Sequence, residues 1–217
     1  VITDPSGKKE EVIVSDWLKA GGRNRVEDSS DLQDITNVSG DEGFTREENG
    51  GLVWNAEGKD IYYQGTSNDE LPVEVKISYE LDGQPVTAEE LAGKSGHVRI
   101  RLDYENHTNA PVTVNGVTRN VCVPFVMASG MELSPEHFKN VRVTNGRIIS
   151  EGSKTIVAGV AFPGLRESLE KDANLRGRLD GIDIPEYMEI EADVTDFTMG
   201  ITMTMASSDL LSDLDPD

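Results

Sequence analysis

Leu71-Pro72-Val73-Glu74-Val75-Lys76-Ile77-Ser78-Tyr79-Glu80-Leu81-Asp82-Gly83 decides the fold class. Val73, Val75, Ile77 and Tyr79 alternate with Glu74, Lys76, Ser78 and Glu80, the two-residue period of a strand with one buried face. Asp82-Gly83 then supplies a hairpin-type turn. The same alternation returns in His97 to Asn106, where Val98, Ile100, Leu102 and Tyr104 share a face.

Working outward, strands are expected at Glu11 to Trp17, Leu52 to Ala56 and Asp60 to Gln64, the last two joined as a hairpin by Glu57-Gly58-Lys59. Asn115-Gly116 and Asn145-Gly146 each separate two short apolar runs and predict two further hairpins. Thr155 to Phe162 reads as an apolar strand that stops at Pro163-Gly164. The tract from Met188 to Met205 alternates, with Ile201, Met203 and Met205 facing one way and Thr202 and Thr204 the other. Thr87 to Leu91 predicts an N-capped helical turn ending at Gly93. The leucines at 165, 169, 175 and 179 predict the one longer helix, over 165–179. Lys19 to Glu48 is polar, with sparse apolar residues (Leu32, Ile35, Val38, Phe44), and reads as a long excursion pinned at a few points.

Around ten short strands and one helix give an all-β, mainly antiparallel, β-sandwich-like domain over residues 1–206, followed by an acidic tail, 207–217. Two β subdomains meeting around residues 107–120 are the alternative. At 217 residues the chain is long enough to bury about 70% of its unfolded surface, so a core needs no disulfide or metal. The single cysteine, Cys122, allows no intrachain disulfide and reads as a buried, inert thiol between Val121 and Val123.

Charge bounds the partners. Forty acidic residues against 20 basic ones give a net charge of -20. That disfavours nucleic acid and anionic membrane surfaces, and favours cations and basic surfaces. No apolar run approaches the ~18 residues of a membrane span. The chain opens at Val1-Ile2-Thr3-Asp4 without a methionine, which leads us to expect a piece of something longer whose targeting segments were removed.

Calcium is the natural cation for such a composition. Asp28, Asp31 and Asp34 recur at three-residue intervals, and Asp193 and Asp196 form a second candidate pair, but the spacing of an EF-hand is absent. A calcium-selective rise in melting temperature, abolished by a chelator, would identify a calcium-stabilised module. The histidines, His97, His107 and His137, lack the close spacing of a zinc site and read as surface residues. No G-x-S-x-G occurs, and Gly93-Lys94-Ser95 ends a phosphate-loop pattern whose first glycine is replaced by Ala88. No catalytic residue or bound cofactor is expected, and a carbohydrate-active enzyme is the weakest alternative. Trp17, Trp54, Tyr62 and Tyr63 offer rings for sugar stacking. Alternation puts Tyr62 and Tyr63 on opposite faces, and core packing is the commoner fate of Trp17 and Trp54.

Several short motifs then act together: Val14-Ser15-Asp16-Trp17-Leu18, Ile61-Tyr62-Tyr63-Gln64-Gly65, Tyr79-Glu80-Leu81-Asp82-Gly83, Glu90-Leu91-Ala92-Gly93-Lys94-Ser95-Gly96 and Ala192-Asp193-Val194-Thr195-Asp196-Phe197. In this series the chain resembles the N-terminal extracellular region of clostridial-type Gram-positive surface proteins. In those proteins leucine–glycine heptad repeats and a membrane anchor follow, distantly like phage-infection-protein-like membrane proteins. The resemblance implies export, cell-surface display and a β-rich ectodomain, with membrane attachment only through an anchor that this chain does not contain. It brings no catalytic residues. The expected function is therefore a non-enzymatic surface module for adhesion, envelope association or recognition of a surface protein or glycan. Residues 19–50, Tyr62, Tyr63 and the two Asn-Gly tips are the expected contact surface.

Overall fold

The computed structural model describes residues 1–48, 50–114, 116–151, 153–170 and 181–208. The chain forms two compact β units: Val1–Asp4 with Lys9–Glu70, and Pro5–Lys8 with Leu71 onward. The division thus falls at Glu70/Leu71, and residues 107–120 lie inside the second unit. The described strand pairings are antiparallel throughout, so the fold is all-β as the alternation predicts.

The first unit holds β1 (Ile2–Thr3), β2 (Lys9–Leu18), β3 (Arg25–Ser29), β4 (Gln33–Asn37), β5 (Phe44–Arg46), β6 (Gly51–Asn55) and β7 (Ile61–Ser67). They make a four-stranded sheet, β1-β2-β7-β4, and a three-stranded one, β3-β6-β5. Ala20, Val26, Leu32, Leu52, Trp54, Ala56, Ile61 and Tyr63 form its buried core. Two expectations change here. The polar stretch 19–48 is not a bare excursion but contributes three strands, held in part by Arg46. Its guanidinium donates to the Ser30 and Leu32 carbonyls at 3.0 and 2.7 Å. β6 and β7 are not a hairpin either. Glu57 and Gly58, at φ 50° and 82°, turn the chain from one sheet into the other, so that Leu52 and Trp54 of β6 share a core with Ile61 and Tyr63 of β7.

The second unit holds β8 (Val73–Leu81), β9 (Gln84–Val86), α1 (Ala88–Leu91), β10 (Gly96–Asn106), β11 (Asn109–Val114), β12 (Val117–Cys122), β13 (Val126–Leu133), β14 (Phe138–Thr144), β15 (Gly146–Glu151), β16 (Lys154–Ala161), α2 (Leu165–Glu170), β17 (Tyr187–Val194) and β18 (Thr202–Ser207). A five-stranded sheet, β14-β17-β10-β8-β9, faces a four-stranded sheet, β15-β16-β13-β18, and β11 and β12 pair as a separate hairpin. The inward row of β10 is Val98, Ile100, Leu102 and Tyr104, and that of β17 is Met188, Ile190, Ala192 and Val194. Met127, Met131 and Leu133 of β13 and Val157 and Ala161 of β16 complete the core. A Cβ on Gly159 of β16 would lie 2.7 Å from the Met188 sulfur, which shows how closely the two sheets approach there.

The local signals are partly obeyed. Thr87 caps α1 with a full capping box to Glu90, as the sequence requires. Asp82-Gly83 closes the β8–β9 hairpin at φ 52° and 78°. The turn at 115–116 joins β11 to β12 as a hairpin, with Asn115 itself outside the described residues. Asn145-Gly146 does not close a hairpin: β14 and β15 belong to different sheets. Asn145, at φ 59°, anchors this corner by donating its side-chain amide to the Tyr187 carbonyl at 2.9 Å. The helix expected over 165–179 is described as α2, and Leu175, Leu179 and the tail from Asp209 lie outside the described residues. Cys122 is half-buried rather than buried.

Leu102 is 1% exposed at the centre of the sandwich. Leu102→Ala is expected to destabilise the second unit by about 2–5 kcal/mol in a denaturant titration, because the cavity cannot fully collapse between two sheets.

Candidate functional site

The tract from Met188 to Met205 is one alternating run in sequence but two strands in different sheets. β17 buries its apolar row. β18 does the reverse: Thr202 and Thr204 point inward, while Ile201, Met203 and Met205 are 74%, 70% and 59% exposed. A buried polar chain favours this register and outweighs the burial of Thr202 Oγ1, which has no hydrogen-bond partner among the described residues. Tyr104 of β10 donates its hydroxyl to Ser129 Oγ of β13 at 2.7 Å, across the core from one sheet to the other. Ser129 Oγ in turn lies 2.6 Å from Thr204 Oγ1. Burial raises the Tyr104 hydroxyl pKa, so the group stays a donor. A one-residue slip of β18 would bury the methionines and remove Thr204 from Ser129, leaving a buried hydroxyl without this partner.

The outward face so produced carries a run of apolar residues, bordered by Glu132 with its partner Lys154 and by Arg147. In register, Met205 lies opposite Ala128 and Met203 opposite Gly130 on β13, and these lie opposite Val160 and Ala158 on β16. Ile156 and Val160 are each 42% exposed, and Ile149 of β15 is 54% exposed. The small residues on β13 therefore floor a shallow trough between Met203 and Met205 on one side and Ile156 and Val160 on the other.

β18 also ends its sheet among the described residues, so one edge of its backbone is unpaired. Other terminal strands carry features that discourage further pairing. β9 is short and holds Pro85; β14 has a register shift between Lys139 and Arg142. β15 holds Arg147, and β3 holds Arg25, Glu27 and Asp28. β1 and β5 have only two and three residues, and β4 is irregular between Gln33 and Thr36. β18 has none of these, and from Phe197 to Ser208 the sequence holds no charged residue.

In the first unit, Trp17 of β2 lies directly opposite Tyr62 of β7. Their rings stack at 5.5 Å between centroids and 10° between planes, and they are 49% and 40% exposed. The Trp17 indole donates to Asp60 at 3.1 Å, and the Lys19 ammonium sits 4.5 Å from the ring centroid. Trp54 is fully buried as expected; Trp17 is not. Tyr63, by contrast, is 2% exposed and faces the core, which removes it from any contact surface in this structure. Its hydroxyl donates to Asp28 at 2.7 Å.

The aspartates singled out for calcium do not converge. Asp28 accepts from Tyr63, while Asp31 and Asp34 are exposed, Asp34 at φ 49° in an irregular strand. Asp193 accepts from Asn140 at 2.7 Å and meets His97 Nδ1 at 3.0 Å; these contacts hold its carboxyl below the usual range. Asp196 is exposed, and its backbone N–H donates to Ser95 Oγ. The metal-ligating side chains that do come together among the described residues are Glu74, Glu105 and His107.

Burial and the bond to Asp28 both raise the Tyr63 hydroxyl pKa. The sign follows from linkage: the folded state holds this proton more tightly than the unfolded chain, so the stabilisation is complete below the unfolded tyrosine pKa of about 10 and is lost as pH rises beyond it. Stability measured by denaturant titration is expected to fall above pH ~10, and Tyr63→Phe is expected to flatten that fall.

No known protein family matches this chain, and neither a curated protein nor a solved structure does.

Proposed function

We propose that this chain is a non-enzymatic recognition module of a cell-surface protein, which binds an extended segment of a partner protein by strand addition at β18. The observation that carries the reading is the inverted strand itself: an uncharged, regular terminal strand with Ile201, Met203 and Met205 turned to solvent. Pairing with a peptide backbone satisfies the open edge, and the trough beside Met203 and Met205 takes apolar side chains at alternate positions. The partner's remaining positions are basic, because a chain of net charge -20 attracts cations over the Debye length. The resemblance to Gram-positive surface proteins supports placing this recognition outside the cell, in adhesion or envelope association.

A selection of random twelve-residue peptides displayed on phage tests this. Enriched peptides are expected to alternate apolar residues with Lys or Arg. They are expected to bind Met203→Lys/Met205→Lys at least tenfold more weakly, with no loss of melting temperature since both side chains are exposed. Equal binding to the variant, or no enrichment, would overturn the reading. A dimer in sedimentation that the same double variant dissolves would give the edge to a second copy of the chain instead.

The Trp17–Tyr62 pair favours a second reading, glycan recognition on the first unit. Exposed rings flanked by Asp60, Lys19, Ser15 and Gln64 present both a stacking face and hydrogen-bonding groups. On a glycan array, binding that vanishes in Trp17→Ala but survives in Met203→Lys/Met205→Lys is the outcome this reading requires.

A further inference from the structure

We infer that Glu74, Glu105 and His107 form a binding site for a zinc ion on the outward face of the five-stranded sheet of the second unit. Glu74 on β8 and Glu105 on β10 are directly opposite in the antiparallel register. His107 follows Glu105 by two residues and lies just beyond the strand. Its backbone N–H donates to the Pro72 carbonyl at 2.9 Å, which ties it to the start of β8. Its Nε2 is 3.7 Å from Glu74 Oε2. One ligand atom from each of the three residues lies within 4.8 Å of the other two.

Those separations suit a small cation. Zinc bonds of 2.0–2.2 Å in tetrahedral geometry place neighbouring ligand atoms about 3.4 Å apart. The side chains of all three residues are about half exposed, at 46–49%, and have room to close the remaining distance. Two carboxylates and an imidazole also leave a coordination position open to water.

The imidazole separates this trio from the many acidic groups elsewhere on the chain. Calcium and magnesium select oxygen ligands, whereas a ring nitrogen beside carboxylates suits zinc and its transition-metal neighbours. The register itself carries a second sign. Like charges directly opposite on adjacent strands are unfavourable, and here the Lys76 ammonium pairs with Glu105 to offset them. Glu105 is held below the usual carboxylate range, chiefly by Lys76. A divalent ion supplies the same compensation to both glutamates and draws in His107. Lys76 therefore competes with the metal for Glu105.

The site was hidden in the sequence because its ligands come from positions 74, 105 and 107. Only the pairing of β8 with β10 brings the first to the other two. Bound there, the ion joins β8 to the segment after β10 and stabilises the second unit by mass action.

Isothermal titration with zinc chloride, followed by thermal unfolding with and without zinc, tests the assignment. One zinc per chain is expected, with a raised melting temperature, and magnesium and calcium at the same concentration are expected to have no such effect. His107→Ala is expected to weaken zinc binding at least tenfold, and Lys76→Met to strengthen it. Zinc is also expected to shift the imidazole nitrogen resonances of His107. No saturable binding, unchanged affinity in His107→Ala, or an equal response to calcium would each overturn the proposal. Because every group in the trio is partly exposed, these variants keep the core intact, and unchanged melting of the metal-free proteins verifies that.

Discussion

The hydroxyl chain from Tyr104 through Ser129 to Thr204 governs the second unit. It crosses a largely apolar core and joins three strands from two sheets. Apolar packing alone would draw the methionines of β18 inward, since they bury more apolar surface than the threonines do. A buried hydroxyl opposes this, because losing its partner costs about 1–3 kcal/mol. The polar chain thus selects one register for β18 against an apolar preference for the other. The same selection places three large apolar side chains in solvent.

The outward face of the opposite sheet is built on a different principle. Arg99 of β10 bonds Glu80 of β8 at 3.0 Å and Glu191 of β17 at 3.1 Å. Arg101 reaches Asp103 and Glu189, and its guanidinium lies 3.7 Å from the Tyr187 ring centroid. Each such exposed pair contributes little alone, but together they place the scarce cations of an acidic chain along its central strand. The two outer faces of one sandwich are therefore chemically opposite, one an ion-pair ladder and the other an apolar trough.

Much of the sheet content was legible because period-two alternation is a property of single strands. Val98, Ile100, Leu102 and Tyr104 read inward from the sequence and are buried. What alternation cannot give is the partner strand or which face meets the core. Asn145-Gly146 has the composition of a hairpin turn, yet it links two sheets, since the same left-handed φ serves both a reversal and a corner. Ile201, Met203 and Met205 were correctly placed on one face, but their exposure depends on Ser129, some seventy residues upstream. The calcium reading failed to gather its aspartates for a related reason: closeness in sequence placed Asp28, Asp31 and Asp34 on a strand, a connection and a bulge. Trp17 was assigned by frequency to the core, whereas its cross-strand contact with Tyr62 holds it at the surface.

Pro5–Lys8 belongs to the second unit although the chain around it belongs to the first. The Pro5 carbonyl accepts the Tyr79 hydroxyl at 2.6 Å, the Ser6 carbonyl accepts the Ile77 N–H at 2.7 Å, and Gly7 is pressed so closely to the Val75 carbonyl that a Cβ would not fit. During synthesis, residues 5–8 leave the ribosome before β8 and have no seat until it has emerged. This segment thus finds its place only after the whole sequence of the first unit between it and Leu71 has been made, and removing those few residues would strip the second unit of a piece that its own continuous sequence, from Leu71, does not supply.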